Sequence, residues 1–153
     1  MRITVTTTLP CTLDQARDQI LTSRLMEHAS WPLIMFTPLD PPVLPAIWEP
    51  GNYRVQMRSL WVIPLGSQTI AVSFPPSSPG QVLVRDNGFG QLVRRWDHLI
   101  TLDATTDGIQ SRYTDQVDID AGVLTIPVWA WANLWYRWRQ HRMRRLATRN
   151  FQY

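Results

Sequence analysis

The sequence contains no lysine, and all fifteen of its basic residues are arginines. It has one cysteine, Cys11, which excludes an intramolecular disulfide and a cysteine-built zinc site. That usage fits a reducing compartment, and a cytoplasmic location is expected. Long apolar runs are missing as well. The longest near the end, Val128-Trp129-Ala130-Trp131-Ala132, falls far short of the roughly 18 to 20 residues that span a bilayer, so no transmembrane segment is expected. Met1 to Pro10 alternates threonine with aliphatic residues. It has neither the charged-then-apolar run nor the small-residue cleavage site of a secretory signal, and export is not expected. The three histidines, His28, His98 and His141, fall on separate predicted elements without the spacing of a zinc site, so neither a metal nor a cofactor is expected. A phosphate-binding glycine loop and a nucleophile elbow are also absent. Asp86-Asn87-Gly88-Phe89-Gly90 reads as a hairpin turn.

What is present points to a folded chain. Of 153 residues, 44% are hydrophobic and 18% charged, a balance on the globular side of the boundary with disorder, and the length suits one domain over residues 1–153. The net charge of +3 is a local feature, because Arg137, Arg139, Arg142, Arg144, Arg145 and Arg149 crowd the last seventeen positions.

Arg2 to Leu9 is rich in β-branched residues and predicts a first strand. Thr12-Leu13-Asp14-Gln15 matches a capping box, and apolar residues at helical spacing from Leu13 to Leu25 predict a helix or helix pair ending by Trp31, ahead of Pro32. Six prolines between Pro32 and Pro50 make the next stretch extended, with a short strand over Leu33 to Thr37. From Gly51 the period becomes two. Tyr53, Val55, Met57, Ser59 and Trp61 share one face, and Ile70, Val72 and Phe74 share the same side of the next strand. After Val82 to Asp86 and the Asn87-Gly88 turn, Leu92 to Ala104 directs Trp96, His98, Ile100 and Leu102 to one face. The last strand, Ile109 to Asp120, directs Ile109, Tyr113, Asp115, Val117 and Ile119 likewise. A long helix follows, with Thr125 as its N-cap and its end near Thr148. Val128, Trp131, Ala132, Trp135, Met143 and Leu146 form its apolar stripe, widened by Trp129, Leu134, Tyr136 and Trp138, while Asn133, Arg137, Gln140 and Arg144 lie opposite.

This order of elements resembles the helix-grip fold of the START-like (SRPBCC) superfamily. The residues carrying the likeness are the Leu13-to-Leu25 helix after a first strand, Trp48-Glu49-Pro50-Gly51 leading into the sheet, Arg95-Trp96-Asp97-His98 before Ile100 and Leu102, Tyr113-Thr114-Asp115 with Val117, and the terminal helix. The resemblance implies an α+β fold: an antiparallel sheet of about six or seven strands curved around a long C-terminal helix, with short helices after strand 1 and an apolar cavity between sheet and helix. Superfamily members hold hydrophobic ligands, cyclise or dehydrate aromatic polyketides, or bind protein partners, and fold alone does not choose among these.

The expected ligand-binding residues are Met57, Trp61, Trp96, His98, Tyr113, Asp115, Trp131, Trp135 and Arg139, of which Met57, Trp61, Trp96, Tyr113, Trp131 and Trp135 also suit a plain packed core. Thioether and indole surfaces fit flat or aliphatic guests. His98 is the catalytic candidate if the chain is an enzyme of cyclase or dehydratase type, and otherwise a polar anchor or a satisfied core histidine. An inward Asp115 needs a cationic or hydrogen-bonding partner, for which the helical wheel offers Arg139 and Arg142. The primary reading is binding or carriage of a hydrophobic small molecule, lipid or polyketide-like. The alternatives are the enzyme and an adaptor that meets a protein or an anionic membrane surface through the arginine-rich helix. The same stretch, with aromatics interleaved, would suit nucleic acid, but arginine stems lying past apolar surface account for it better.

Overall fold

The computed structural model describes residues 1–153. The β-branched run Arg2–Leu9 forms β1, and Thr12 then caps α1 (Leu13–Ile20) through the complete capping box with Gln15. Thr22 caps a second short helix, α2 (Ser23–Ser30), by accepting the Leu25 N–H, and Pro32 follows its end. Six strands come next: β2 (Ile34–Asp40), β3 (Gly51–Ser59), β4 (Ile63–Ser73), β5 (Gln81–Gly90), β6 (Arg95–Ala104) and β7 (Ser111–Asp120). A 3-10 turn over Gly122–Leu124 leads into α3 (Thr125–Ala147). No helix is long and apolar enough to cross a membrane.

The seven strands form one antiparallel sheet in the order β1-β7-β6-β5-β4-β3-β2. From β2 onward each strand pairs with the next in the chain. The α1–α2 excursion carries the chain from one edge, β1, to the other, β2. Alternation sets the inner face: Tyr53, Val55, Met57 and Ser59 on β3, Trp96, His98, Ile100 and Leu102 on β6, and Tyr113, Asp115, Val117 and Ile119 on β7 are all buried. The helix α3 lies over that face, as the helix-grip arrangement requires, with Ala132, Trp135, Tyr136, Met143 and Leu146 turned inward.

Several expectations fail for local reasons. The chain leaves β3 at Ser59, and Leu60 and Trp61 take left-handed backbone (φ 48° and 73°), so Trp61 stands in the turn, 55% exposed, against Trp31. Phe74 and Ile109 lie outside their strands and are exposed. Leu134 also faces solvent, and Thr125 is the first residue of α3, its hydroxyl bridging Ala121 N–H and Gly122 C=O. Asn87-Gly88 makes no turn: β5 runs through it to Gly90, and the reversal occurs over residues 91–94.

Gly88 is there because the strands approach closely. A Cβ would stand 2.7 Å from the Thr69 carbonyl oxygen, nearer than such atoms pack. Gly88→Ala is therefore expected to destabilise the fold by roughly 1–3 kcal/mol, as overpacking does, which a urea unfolding series would show as a lowered midpoint.

Candidate functional site

Strand parity and helix periodicity bring one polar side chain from each of several elements to the same level of the core. On β6 it is His98, between Trp96 and Ile100. On β7 it is Asp115, between Val117 and Tyr113. On α3 it is the adjacent pair Arg139 and Gln140, between Tyr136 and Met143. These four residues separate two apolar clusters, one containing Trp96, Val117 and Tyr136 and the other Ile100, Tyr113 and Met143.

Asp115 is the hub and is fully buried. Its Oδ1 accepts from His98 Nε2, Tyr113 OH and Arg139 Nη1, each at 2.7 Å. Its Oδ2 accepts from Gln140 Nε2 at 2.9 Å, and the same amide donates to the Val5 carbonyl at 2.7 Å. Burial pushes this carboxyl up, but Arg139, His98 and Tyr113 together outweigh burial and hold it below its ordinary value. Arg139 is pressed down by burial and lifted further by the negative charge around it, so it stays a cation. For His98 burial wins over Asp115 and lowers the imidazole. The ring is therefore neutral near pH 7. Since Asp115 only accepts, the His98 proton sits on Nε2 and Nδ1 is a free base.

Beside this layer is a fifth polar group, Asp86 of β5, the register partner of His98. Its Oδ1 accepts the Ala71 N–H at 2.7 Å between the paired positions of β4 and β5. Burial pushes the Asp86 carboxyl up to about 7, with Asp97 adding to the rise and the Ala71 bond opposing it. Asp86 is the functional candidate that reading the sequence missed. The signal was present, since Val82, Val84, Asp86 and Gly88 continue a period of two. Gln140, placed on the solvent side by the helical wheel, is buried and belongs to the hub.

Between α3 and the sheet lies a cavity in two lobes that share Met57, Gln68, Trp96 and Trp135. The inner lobe, about 80 Å³, has Asp86, His98, Arg139 and Tyr136 in its wall. The outer lobe, about 260 Å³, is mostly apolar and opens past Leu65, Leu92 and the first turns of α3, where Trp131 lines it. Of the residues expected to line a ligand site, Met57, Trp96, His98, Trp131, Trp135 and Arg139 are in the walls. Tyr113 and Asp115 are not: they stand behind the wall and hold His98 and Arg139 in place. Trp61 is outside it altogether. Arg142, the other expected partner of Asp115, instead meets His28. Four wall residues carry buried polar atoms with no hydrogen-bond partner, Ser30 Oγ, Trp131 Nε1, Trp135 Nε1 and Tyr136 OH.

No protein-family profile matches the chain, and no curated protein sequence matches it. Solved structures do. An aromatase/cyclase from a Streptomyces species superposes with a TM-score of 0.67 at 11% identity, over 99% of this chain and 96% of that one. A START superfamily protein from Mycobacterium smegmatis gives 0.60 at 6% identity, over 97% of both. A Chromobacterium violaceum protein gives 0.65 at 12% identity, over 95% of this chain and 96% of that one. These proteins and this chain thus share one fold, the helix-grip fold.

Proposed function

We propose that this chain binds and carries a hydrophobic small molecule, lipid or polyketide-like, in the two-lobed cavity. The observation that carries this reading is the pairing of a mostly apolar outer lobe with an inner lobe whose wall holds Asp86 and His98. A polar group buried beside apolar walls is costly without a partner, so the best guest offers a greasy body and a polar end. Asp86, protonated below about pH 7, adds a donor at the inner end, and His98 Nδ1 an acceptor.

The enzyme reading, a cyclase or dehydratase acting on an aromatic polyketide-like substrate, is supported by one feature: an acid that titrates near neutrality and a neutral imidazole stand side by side in the inner lobe, the arrangement proton transfer needs. Native mass spectrometry of the purified chain, followed by tryptophan-fluorescence titration with fatty acids, sterols and aromatic polyketides, tests both. A saturable response supports carriage. Turnover lost in His98→Ala while binding persists supports catalysis. Val128→Trp, which fills the outer lobe from α3, should weaken binding at least tenfold, the loss expected when a guest forfeits about 1.4 kcal/mol, without lowering the melting temperature. Unchanged affinity in that variant would remove the guest from this cavity.

A further inference from the structure

At the opposite end of α3 from the cavity mouth, three of the arginines noted in the sequence, Arg142, Arg145 and Arg149, gather around a recess. Two adjoining hollows, about 270 and 510 Å³, lie between α2 and the last turns of α3 and share His28, Arg142 and Tyr153. Arg145 and Arg149 enter the first hollow and Arg24 the second. We propose that this end of the molecule is a second binding site, specific for a phosphate group and organised around Arg142.

The charge there is uncompensated. Arg2, Arg17, Arg85, Arg95 and Arg139 each form an ion pair with an aspartate, whereas Arg24, Arg142, Arg145 and Arg149 pair with no aspartate or glutamate. Glu27, the one acidic side chain lining either hollow, also makes no ion pair. Arg142 is nevertheless held in a fixed pose. Its guanidinium lies over the rings of Trp31 and Trp138, at 5.7 and 5.9 Å from their centres, and its Nη2 donates to His28 Nε2 at 2.9 Å. Since arginine only donates, His28 accepts as a neutral ring, and it neutralises nothing. The Arg142 Nε is buried and has no partner at all.

A guanidinium clamped by aromatic faces and a neutral imidazole, with a donor to spare, is preorganised for an anion. The helix dipole does not explain it. That field favours cations only in the last turn of α3, where Arg144 and Arg145 stand, and it does not call for Arg24 and His28 from another helix. Several converging guanidiniums match a group carrying more than one negative charge, and the planar donor fork matches tetrahedral phosphate oxygens. With Trp138 and Tyr153 they line an open hollow, not a line of charge along which a nucleic-acid backbone would run. The phosphate arrives either on a soluble molecule or as a lipid headgroup.

The test uses the full chain and two probes, inorganic phosphate or pyrophosphate, and phosphatidylcholine vesicles with and without phosphatidic acid. The Arg142 Nε–H and Trp138 indole N–H resonances should move saturably with phosphate. Response to phosphate alone assigns a soluble phosphorylated guest, and response to the phosphatidic acid vesicles as well assigns a headgroup. Arg145→Gln with Arg149→Gln, both exposed and so harmless to folding, should weaken either interaction at least tenfold, and the affinity should fall with added salt. The hydrophobic guest of the main cavity should bind those variants as before, which keeps this test independent of the proposed function. Resonances unmoved by both probes, binding undiminished in the double variant and in Arg142→Gln, or, with duplex DNA added as a third probe, a response confined to the DNA would each overturn the proposal.

Discussion

Asp115→Asn is expected to lower the melting temperature by about 10 °C or more. The asparagine oxygen still accepts hydrogen bonds, but the charge is gone, and Arg139, 6% exposed, is left as an unpaired cation in the core. Breaking one side of such a pair costs roughly 3–5 kcal/mol, and in a chain of this size each kcal/mol lowers the midpoint by about 2–4 °C. Arg139→Met should also destabilise, by leaving Asp115 without its principal opposing charge. The double variant, Asp115→Asn with Arg139→Met, should recover much of the loss, because no unpaired charge then remains. Thermal melts of the four proteins give the coupling as a double-mutant cycle. Unchanged melting in both single variants, or strict additivity in the double, would defeat the hub as described. The wild-type dependence on pH has a definite sign here. The Asp115 carboxyl is depressed in the folded chain, so its contribution is present above about pH 4, the unfolded value, and is lost as pH falls through the folded one.

The hub explains which parts of this molecule were legible in its residues. Strand parity alone put His98 and Asp115 on the inner face, and the helical wheel turned both Arg139 and Arg142 toward the sheet, so two periodicities narrowed the ion pair to two candidates, of which the fold uses Arg139. Parity does not report depth, however. Tyr113 and Asp115 share a face with His98 yet lie behind the cavity wall, because distance along the strand from the open end of α3 decides what a guest can touch. Gln140 escaped for a related reason. A wheel sorts residues by polarity, while α3 also rests on β1, where the half-buried Val5 carbonyl gives the amide a partner. Trp61 was lost to a backbone event, the left-handed step at Leu60 and Trp61 that ends β3. Asn87-Gly88 shows local turn chemistry overruled by long-range pairing. The β5 strand is hydrogen-bonded on both flanks, and the glycine serves the close approach to Thr69.

That last misreading hid Asp86, whose titration gives the second large effect. The folded chain keeps the Asp86 proton up to about pH 7, and the unfolded chain releases it near pH 4. The contribution of this group to stability is therefore complete below about pH 4, is lost progressively between pH 4 and 7, and is gone above pH 7. An asparagine at this position would mimic the protonated acid at every pH and would keep an oxygen for the Ala71 N–H. Asp86→Asn should thus match the wild type near pH 4 and exceed it by a few kcal/mol at pH 8, a difference that urea unfolding at the two pH values measures. Taking the difference between the two proteins cancels the titrations of His98 and Asp115, which they share. A variant less stable than wild type at pH 8, or pH curves that run parallel, would show that the carboxyl is ionised in the fold at neutral pH. The same proton governs the guest. A neutral Asp86 presents a donor to an oxygen in the inner lobe, and an ionised one presents only charge that an apolar guest cannot offset. Guest affinity should therefore decline above pH 7 in the wild type and stay level in Asp86→Asn, which links the stability of this fold and the occupancy of its cavity to one side chain.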